Sequence, residues 1–499
     1  MKTLGQLVQV LLHKETRGNL NFPVTGISYN SKRVKAGNLF ACLSGRHSYG
    51  EKHILEAAAN GALAVLTEQE GNYNGITTVK VPDVRLALAL LSSELYDYPS
   101  RELVLIGVTG TNGKTTTTHL IDSLLRSSGK VTGLLGTVSY IINNREYPVL
   151  ATTPEACDLQ FLFREMCDNG ITHASMEVSS HALALYRTVG SDFDTVVLTN
   201  ITEDHLDFHH TFTHYLNTKS KLFAWLGSGL QKGSRMRRAV VNGDDAHYRY
   251  IIDMVPGETL LYGLSAHCHV RAVDVLVTRE GVGFTLLTPH GSIPVKMKMT
   301  GMFSVYNALA ATSCVILEGL GLEQIRDVLE AVPGISGRFE PVLAGQDFTV
   351  IVDYAHTPDG LENALQAVSE FSTRNVITVF GCGGERDRSK RPLMGAVAAT
   401  YSDYCLVTSD NPRGEDPEQI INEIIPGLTG SKCRDYEIIP DRALAIARAL
   451  ELAEPGDVVL IAGKGHETQQ IFKDHAISFD DRVVAREIIR RMKSDGNKL

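Results

Sequence analysis

Leu103-Val104-Leu105-Ile106 is an unbroken apolar run, and a glycine-rich polar stretch follows it. Beyond that stretch, Leu120, Ile121, Leu124 and Leu125 recur at helical spacing and Gly129 stands where a C-cap belongs. The pattern predicts a strand over 103–108, a loop, and then a helix. Further apolar runs at 131–136, 174–178, 195–199 and 239–242 predict strands that alternate with helices. Such alternation builds a mostly parallel sheet covered on both faces, an α/β fold. Between His267 and Thr300 the period changes to two, with turns at Gly281, Gly283 and Gly291, which predicts a small antiparallel insert. The last block repeats strand, polar loop and helix, with strands at 349–352, 376–380, 404–408 and 457–461. At the front, Leu4, Leu7, Val8, Leu11 and Leu12 predict a short amphipathic helix, interrupted by Gln6 and Gln9.

Turn-rich segments near residues 96–100 and 332–337 divide the chain. The expected domains are 1–98, 99–333 and 334–499. A length of 499 residues agrees with three domains at a prior of ~150 residues each. A net charge of −9 argues against a general nucleic-acid binder. The basic cluster Lys232, Arg235, Arg237 and Arg238 lies among Gly and Ser and reads as a solvated loop. Eight cysteines without a Cys-x-x-Cys pair suit a reducing compartment. No apolar run approaches ~18 residues and no signal-peptide cleavage site follows the N-terminus, so a cytoplasmic protein with no membrane span is expected.

Candidate chemistry sharpens this picture. Residues 107–118 read Gly-Val-Thr-Gly-Thr-Asn-Gly-Lys-Thr-Thr-Thr-Thr. A glycine loop between strand and helix points N–H groups at a polyphosphate. Lys114 adds a positive charge, and the Thr115 hydroxyl can reach a phosphate-bound Mg²⁺. Val108 stands where the strict motif has its first glycine, so the loop is a variant built on Gly110 and Gly113. Two further strand ends carry metal-type residues, Glu177 and His205. Mg²⁺ prefers oxygen, so a histidine ligand suggests a second, softer position. In the last block all four polar loops should emerge at the carboxyl edge of one sheet, where open α/β folds bind ligands. A second binding site is expected there.

Taken together, these segments resemble the Mur ligases, ATP-dependent amide-bond formers of peptidoglycan synthesis. Gly110-Thr111-Asn112-Gly113-Lys114-Thr115-Thr116 looks like their phosphate loop; 177–181 and 204–209 look like their metal and substrate segments. The resemblance covers nearly the whole chain. It implies an N-terminal uridine-nucleotide domain, a central ATPase domain and a C-terminal Rossmann-like domain, using ATP and Mg²⁺. It is strongest to the MurE branch, which adds the third amino acid to UDP-N-acetylmuramoyl-L-alanyl-D-glutamate.

By that resemblance Tyr29, Ser31, Arg46, His47 and Ser48 should lie near the uridine nucleotide. Thr152, Thr153, Ser179 and Arg187 match muramoyl-peptide contacts. Lys219 falls where the family carries a carbamylated lysine, which would join Thr115, Glu177 and His205 as a metal ligand. Asn307 matches an adenine-side position; Arg338 and Asp353 match positions that meet the nucleotide from the third domain. Lys114, Lys219, Glu177 and His205 are the expected catalytic residues. Ser304 stands where the family usually has Asn, Asn30 where it often has Asp, and Val483 where Glu is common.

Asp410-Asn411-Pro412-Arg413 looks like the motif of enzymes that add meso-diaminopimelate rather than lysine. The distal carboxylate of that diamino acid suits a guanidinium, and its ammonium groups need acceptors. Arg413 and Arg386 are the expected carboxylate partners, Glu467 and Asp410 the acceptors, with Gly463 beside them. An alternative for Arg413 is an ion pair with Glu415 or Asp416 in its own loop. The implied partners are small molecules acted on by a monomer. A lysine-adding relative, a folylpolyglutamate-type ligase and a P-loop switch are the rival readings.

Overall fold

The computed structural model describes residues 1–44, 49–71, 73, 75–227, 232, 235–429 and 435–494. The first sheet has the order Glu15–Arg17, Thr77–Lys80, Ala64–Thr67, Asn38–Ala41, Gly26–Ser28, and its last four strands run parallel. The expected N-terminal helix is one turn, Leu4–Leu7, followed by a 3₁₀ turn at Val8–Val10. Gln6, which breaks the apolar pattern, is the capping partner of Thr3. Leu4, Leu7, Val8 and Leu11 are buried, whereas Leu12 is 93% exposed.

The central sheet is built around the strand Val104–Thr109. His173–Glu177 and then Thr132–Leu135 lie on one side, and Thr195–Leu198 and then Arg238–Asn242 on the other, all parallel. The chain crosses from one side to the other between Glu177 and Thr195. The crevice of the sheet therefore opens beyond Thr109, Glu177 and Leu198. The helix Lys114–Ser127 covers this strand with Leu120, Ile121, Leu124 and Leu125 buried. It ends as the apolar pattern requires: Gly129 has φ 79°, and the N–H groups of Gly129 and Lys130 bond the Arg126 and Leu125 carbonyls.

The expected antiparallel insert is present, and it extends the central sheet. Val270–Thr278, Gly281–Thr288 and Gly291–Met297 continue the central sheet through Glu258–Gly263, which pairs parallel with both neighbours. The sequence reading passed over this strand because its apolar run, Leu260-Leu261-Tyr262, is only three residues long. The basic cluster, expected as a solvated loop, needs correction: the side chains of Lys232 and Arg237 are largely buried, whereas Arg235 is exposed and Arg238 is partly so. The Lys232 ammonium bonds the Leu103 carbonyl at 2.9 Å and Asp194 at 2.7 Å, and Arg237 pairs with Asp192 and Asp194 at 2.9 and 3.0 Å. These buried pairs anchor the start of the phosphate-loop strand. Their acidic partners lie some forty residues earlier in the chain, so composition of the loop alone hid them.

In the third sheet Thr349–Asp353, Val458–Ala462, Val376–Phe380, Tyr404–Val407 and Asp435–Ile438 run parallel in that spatial order. The polar loops after the first four therefore share one edge, as expected. No helix among the described residues is long and apolar enough to cross a membrane.

Candidate functional site

A cavity of about 610 Å³ lies between the central and third sheets. Gly110, Thr111, Asn112, Gly113, Lys114, Thr115 and Thr116 line it, with Glu177, His205, Lys219, Asn307, Arg338 and Asp353. Thr152 and Ser179 also reach its wall. Thus residues far apart in sequence meet at one crevice.

Local structure explains each position. Gly113 has φ 82°, and a β-carbon there would strike the Asn307 side chain. The Lys114 ammonium bonds the Gly110 and Thr111 carbonyls at 3.0 and 2.7 Å. Burial lowers its pKa, while Glu177 and Asp204 act the other way. Glu177 is almost fully buried at the end of its strand. The Thr137 N–H and hydroxyl hold its two oxygens at 2.7 and 3.1 Å. His205 has φ 54°, and burial lowers its pKa, which favours the neutral imidazole that can bind a cation.

Lys219 reads from sequence as an exposed helix lysine. Here it is only 2% exposed, and its ammonium bonds the Gly110 carbonyl at 2.8 Å. Burial, reinforced by the Lys114 charge, depresses its pKa well below the ordinary lysine value. Burial and the Lys114 charge thus weaken the hold of this amine on its proton.

The third domain reaches this crevice directly. An Arg338 N–H group donates to the Thr115 hydroxyl at 2.9 Å, and the guanidinium lies over the Tyr354 ring at 4.7 Å. Asp353 accepts from the Phe339 and Ala355 N–H groups at 2.7 and 2.9 Å. Burial raises its pKa, with Arg338 opposing. The Asn112 amide donates to Asp359 at the start of the helix Pro358–Ser369, a contact the sequence reading missed.

Among the described residues, the remaining peptide-side and uridine-side candidates bond within the protein. The Thr153 hydroxyl donates to the Glu177 carbonyl at 2.9 Å and lies 3.3 Å from the hydroxyl of Ser179, the N-cap of the helix Ser180–Ala184. Arg187 joins the Thr153 carbonyl to Glu155 at 3.0 and 2.6 Å. Tyr29 donates to Asp158 at 2.8 Å, and Ser31 to Glu56 at 2.7 Å, both away from the cavity wall. Arg46, His47 and Ser48 lie outside the described residues. Ser304 turns back to the Thr300 carbonyl at 2.7 Å.

The diamino-acid candidates form a second cluster at the third sheet's edge. Arg413, at φ 51°, donates to the Gly384 carbonyl at 2.9 Å rather than to Glu415. Glu415 pairs instead with Arg391 at 3.0 Å. A β-carbon on Gly383 would come within 2.9 Å of the Arg413 guanidinium and 3.8 Å of the Arg386 Cγ, so that guanidinium and the stem of Arg386 border one spot. Glu467 accepts from Asn411 and from the buried Lys464 at 2.7 and 2.8 Å. Asp410 keeps one buried oxygen without a protein partner. Gly463, at φ 119°, lies so close that a β-carbon would be 2.5 Å from it. A buried carboxylate oxygen without a donor is a place for a ligand ammonium. Pro412 abuts Gly384 with its carbonyl and completes the turn.

The donor chemistry around the phosphate loop fits a hard cation only in part. Among the described residues no three His, Cys, Asp or Glu side chains gather as a metal shell. Thr115, Glu177 and His205 could hold a cation that takes its remaining oxygens from phosphates and water.

Comparison with known proteins identifies the family. Residues 23–96 match the model of the Mur ligase family, catalytic domain; 108–315 that of the Mur ligase middle domain; and 337–465 that of the Mur ligase, glutamate ligase domain. A relative from Geobacillus thermodenitrificans, UDP-N-acetylmuramoyl-L-alanyl-D-glutamate–2,6-diaminopimelate ligase, is 46% identical over 95% of this chain and 96% of its own length. A solved structure bearing the same enzyme name is 33% identical, with TM-score 0.66 and 99% of each chain covered. A MurF ligase from Thermotoga maritima in complex with ADP shares the fold at TM-score 0.63 and 19% identity, over 94% of this chain and 97% of that one. The chain belongs to the Mur ligase family.

Proposed function

We propose that this chain joins meso-2,6-diaminopimelate to UDP-N-acetylmuramoyl-L-alanyl-D-glutamate at the expense of ATP. The observation that carries the choice of amino acid is Arg413. Its guanidinium leaves Glu415 to Arg391 and stands beside Arg386 at the mouth of a cluster that also offers Asp410 and Glu467. Two guanidinium groups and two carboxylates complement a diamino dicarboxylate; lysine would leave an arginine unanswered.

The reaction is acyl activation. The D-glutamyl side-chain carboxylate takes the γ-phosphoryl group of ATP, and the amine of the incoming amino acid then displaces phosphate. Lys114 offsets charge on the transferring group. Thr115, Glu177, His205 and Lys219 as its carbamate would hold Mg²⁺, which would supply Lewis-acid stabilisation there. Asn307 borders the adenine, and Arg338 and Asp353 close on the nucleotide from the third domain. Contacts from Arg338 to Thr115 and from Asp359 to Asn112 support a closed arrangement that keeps water from the activated acyl group.

The N-terminal domain, residues 1–98, binds the uridine nucleotide through Tyr29, Ser31, Arg46, His47 and Ser48. Thr152, Thr153, Ser179 and Arg187 take the peptide end. The central domain spans 99–333 and the amino-acid domain 334–499. The enzyme works as a cytoplasmic monomer. The test is phosphate release from ATP with the UDP-muramoyl dipeptide, comparing meso-diaminopimelate, lysine and no amino acid. Release that requires the diamino dicarboxylate is expected. Equal release without any amino acid would point to an ATP-driven switch instead.

A further inference from the structure

Two loops carry the arginines of the amino-acid cluster, and both are held in costly conformations. Glu385 and Arg413 have φ 57° and 51°, left-handed values that a residue with a side chain adopts only when its surroundings impose them. The loops are tied to each other as well as to the sheet. The Gly384 N–H donates to the Asn411 carbonyl at 2.9 Å, and Arg413 returns a bond to the Gly384 carbonyl at 2.9 Å.

Beneath them lies Arg391, on the helix Lys390–Tyr401, with a fully buried side chain. One N–H group reaches both oxygens of Glu415 at 3.1 and 3.0 Å, and the other reaches Glu423 at 2.8 Å. Glu415 belongs to the Arg413 loop, yet its carboxylate also accepts the backbone N–H of Glu385 at 2.5 Å. One carboxylate thus fixes the backbone beside Arg386 while its own chain carries Arg413. A buried ion pair is a poor source of stability, because desolvating both charges offsets their attraction. Its rigid geometry is what an apolar pair of the same size would lack.

We propose that Arg391 and Glu415 form a strut that sets the spacing of Arg386 and Arg413, and thereby selects the incoming amino acid by its distal carboxylate. The proposal rests on the activity assigned above. Arg391 touches no substrate; it is a positioning residue acting through two loops. Loss of the strut lets both loops relax, so the two guanidinium groups no longer meet one carboxylate. The nucleotide crevice, built on other elements, keeps its geometry.

Steady-state kinetics on Arg391→Lys and on the double variant Arg391→Met, Glu415→Gln test this, with melting temperatures measured in parallel. The double variant leaves Glu423 without Arg391, but that carboxylate is partly exposed and still pairs with Arg388 at 3.0 Å, so no buried charge is stranded and the variant should melt within a few degrees of wild type. Its KM for meso-diaminopimelate should rise at least about tenfold, while KM for ATP and for the UDP-muramoyl dipeptide stays within about twofold. Arg391→Lys keeps the charge without the two-pronged reach and should fall between. A double variant with wild-type diaminopimelate KM overturns the strut, as does an equal rise for all three substrates. Wild-type enzyme that prefers lysine would overturn the assigned activity itself, which the wild-type measurements report separately.

Discussion

The Lys219 ammonium donates to the Gly110 carbonyl across 109 residues of sequence, at 2.8 Å. This bond places a buried amine against the backbone of the phosphate loop. Lys114 lies close enough that its charge helps depress the Lys219 pKa, after burial itself. A neutral amine can attack dissolved CO₂ and lose a proton to water, leaving a carbamate. That step turns a donor into a two-oxygen acceptor for a cation beside the phosphates.

Lys219→Ala should therefore lose activity by about a hundredfold, the scale of losing one charge-stabilising group in an active site. Part of it should return with added acetate, which can supply the missing carboxylate. The assay is phosphate release at saturating substrates, with and without the additive. Near-wild-type activity in the variant would remove Lys219 from the chemistry.

Much of this site was legible in the sequence because its pieces are short and contiguous. Residues 107–118 carry strand, turn glycines, lysine and threonine within one motif, so fold and chemistry were readable together. The four polar loops were legible for the same reason: each follows an apolar strand, and parallel strands put their ends on one edge. Lys219 was not legible from periodicity. Its burial comes from the Gly110 loop and the Tyr215 ring, which approach only in three dimensions. The resemblance to a family, not the residue pattern, singled it out. Arg391 escaped notice because its partners lie 24 and 32 residues away in a loop and a neighbouring helix. Lys232 was misread because its partner carboxylate, Asp194, belongs to a different strand end.

A second prediction concerns acid stability. His466 sits in the loop that joins the two binding clusters, with its ring against Tyr354. Burial first, then the charges of Arg338 and Arg482, push its pKa down to about 4 from an ordinary 6.5. The folded value lies below the unfolded one, so the unfolded chain binds the extra proton between those limits. Stability should then fall as pH drops from about 6.5 toward about 4. His466→Gln removes this proton uptake. The fall in melting temperature from pH 7 to pH 5 should be smaller in the variant by at least ~2 °C. An identical fall in both proteins would mean that other groups set the acid limit.

The last prediction separates close relatives. Arg413 is paired with no carboxylate among the described residues, and its guanidinium borders the same spot as the stem of Arg386. It should bind the distal carboxylate that meso-diaminopimelate has and lysine lacks. Losing one partner of a buried charged pair typically costs about 3–5 kcal/mol. Water can refill the opened pocket, which reduces that figure. Arg413→Ala should still lower kcat/KM for diaminopimelate by at least about a hundredfold, equivalent to ~2.7 kcal/mol. Its kcat/KM for lysine should change far less, because lysine never engaged the guanidinium. The quantity to measure is the ratio of the two specificity constants in wild type and variant. Truncation also frees the Gly384 carbonyl, so some loss common to both substrates is expected from loop relaxation. Only the part of the loss confined to diaminopimelate reports recognition. Equal falls for the two substrates would make Arg413 a loop-holding residue and leave Arg386 alone to answer the distal carboxylate.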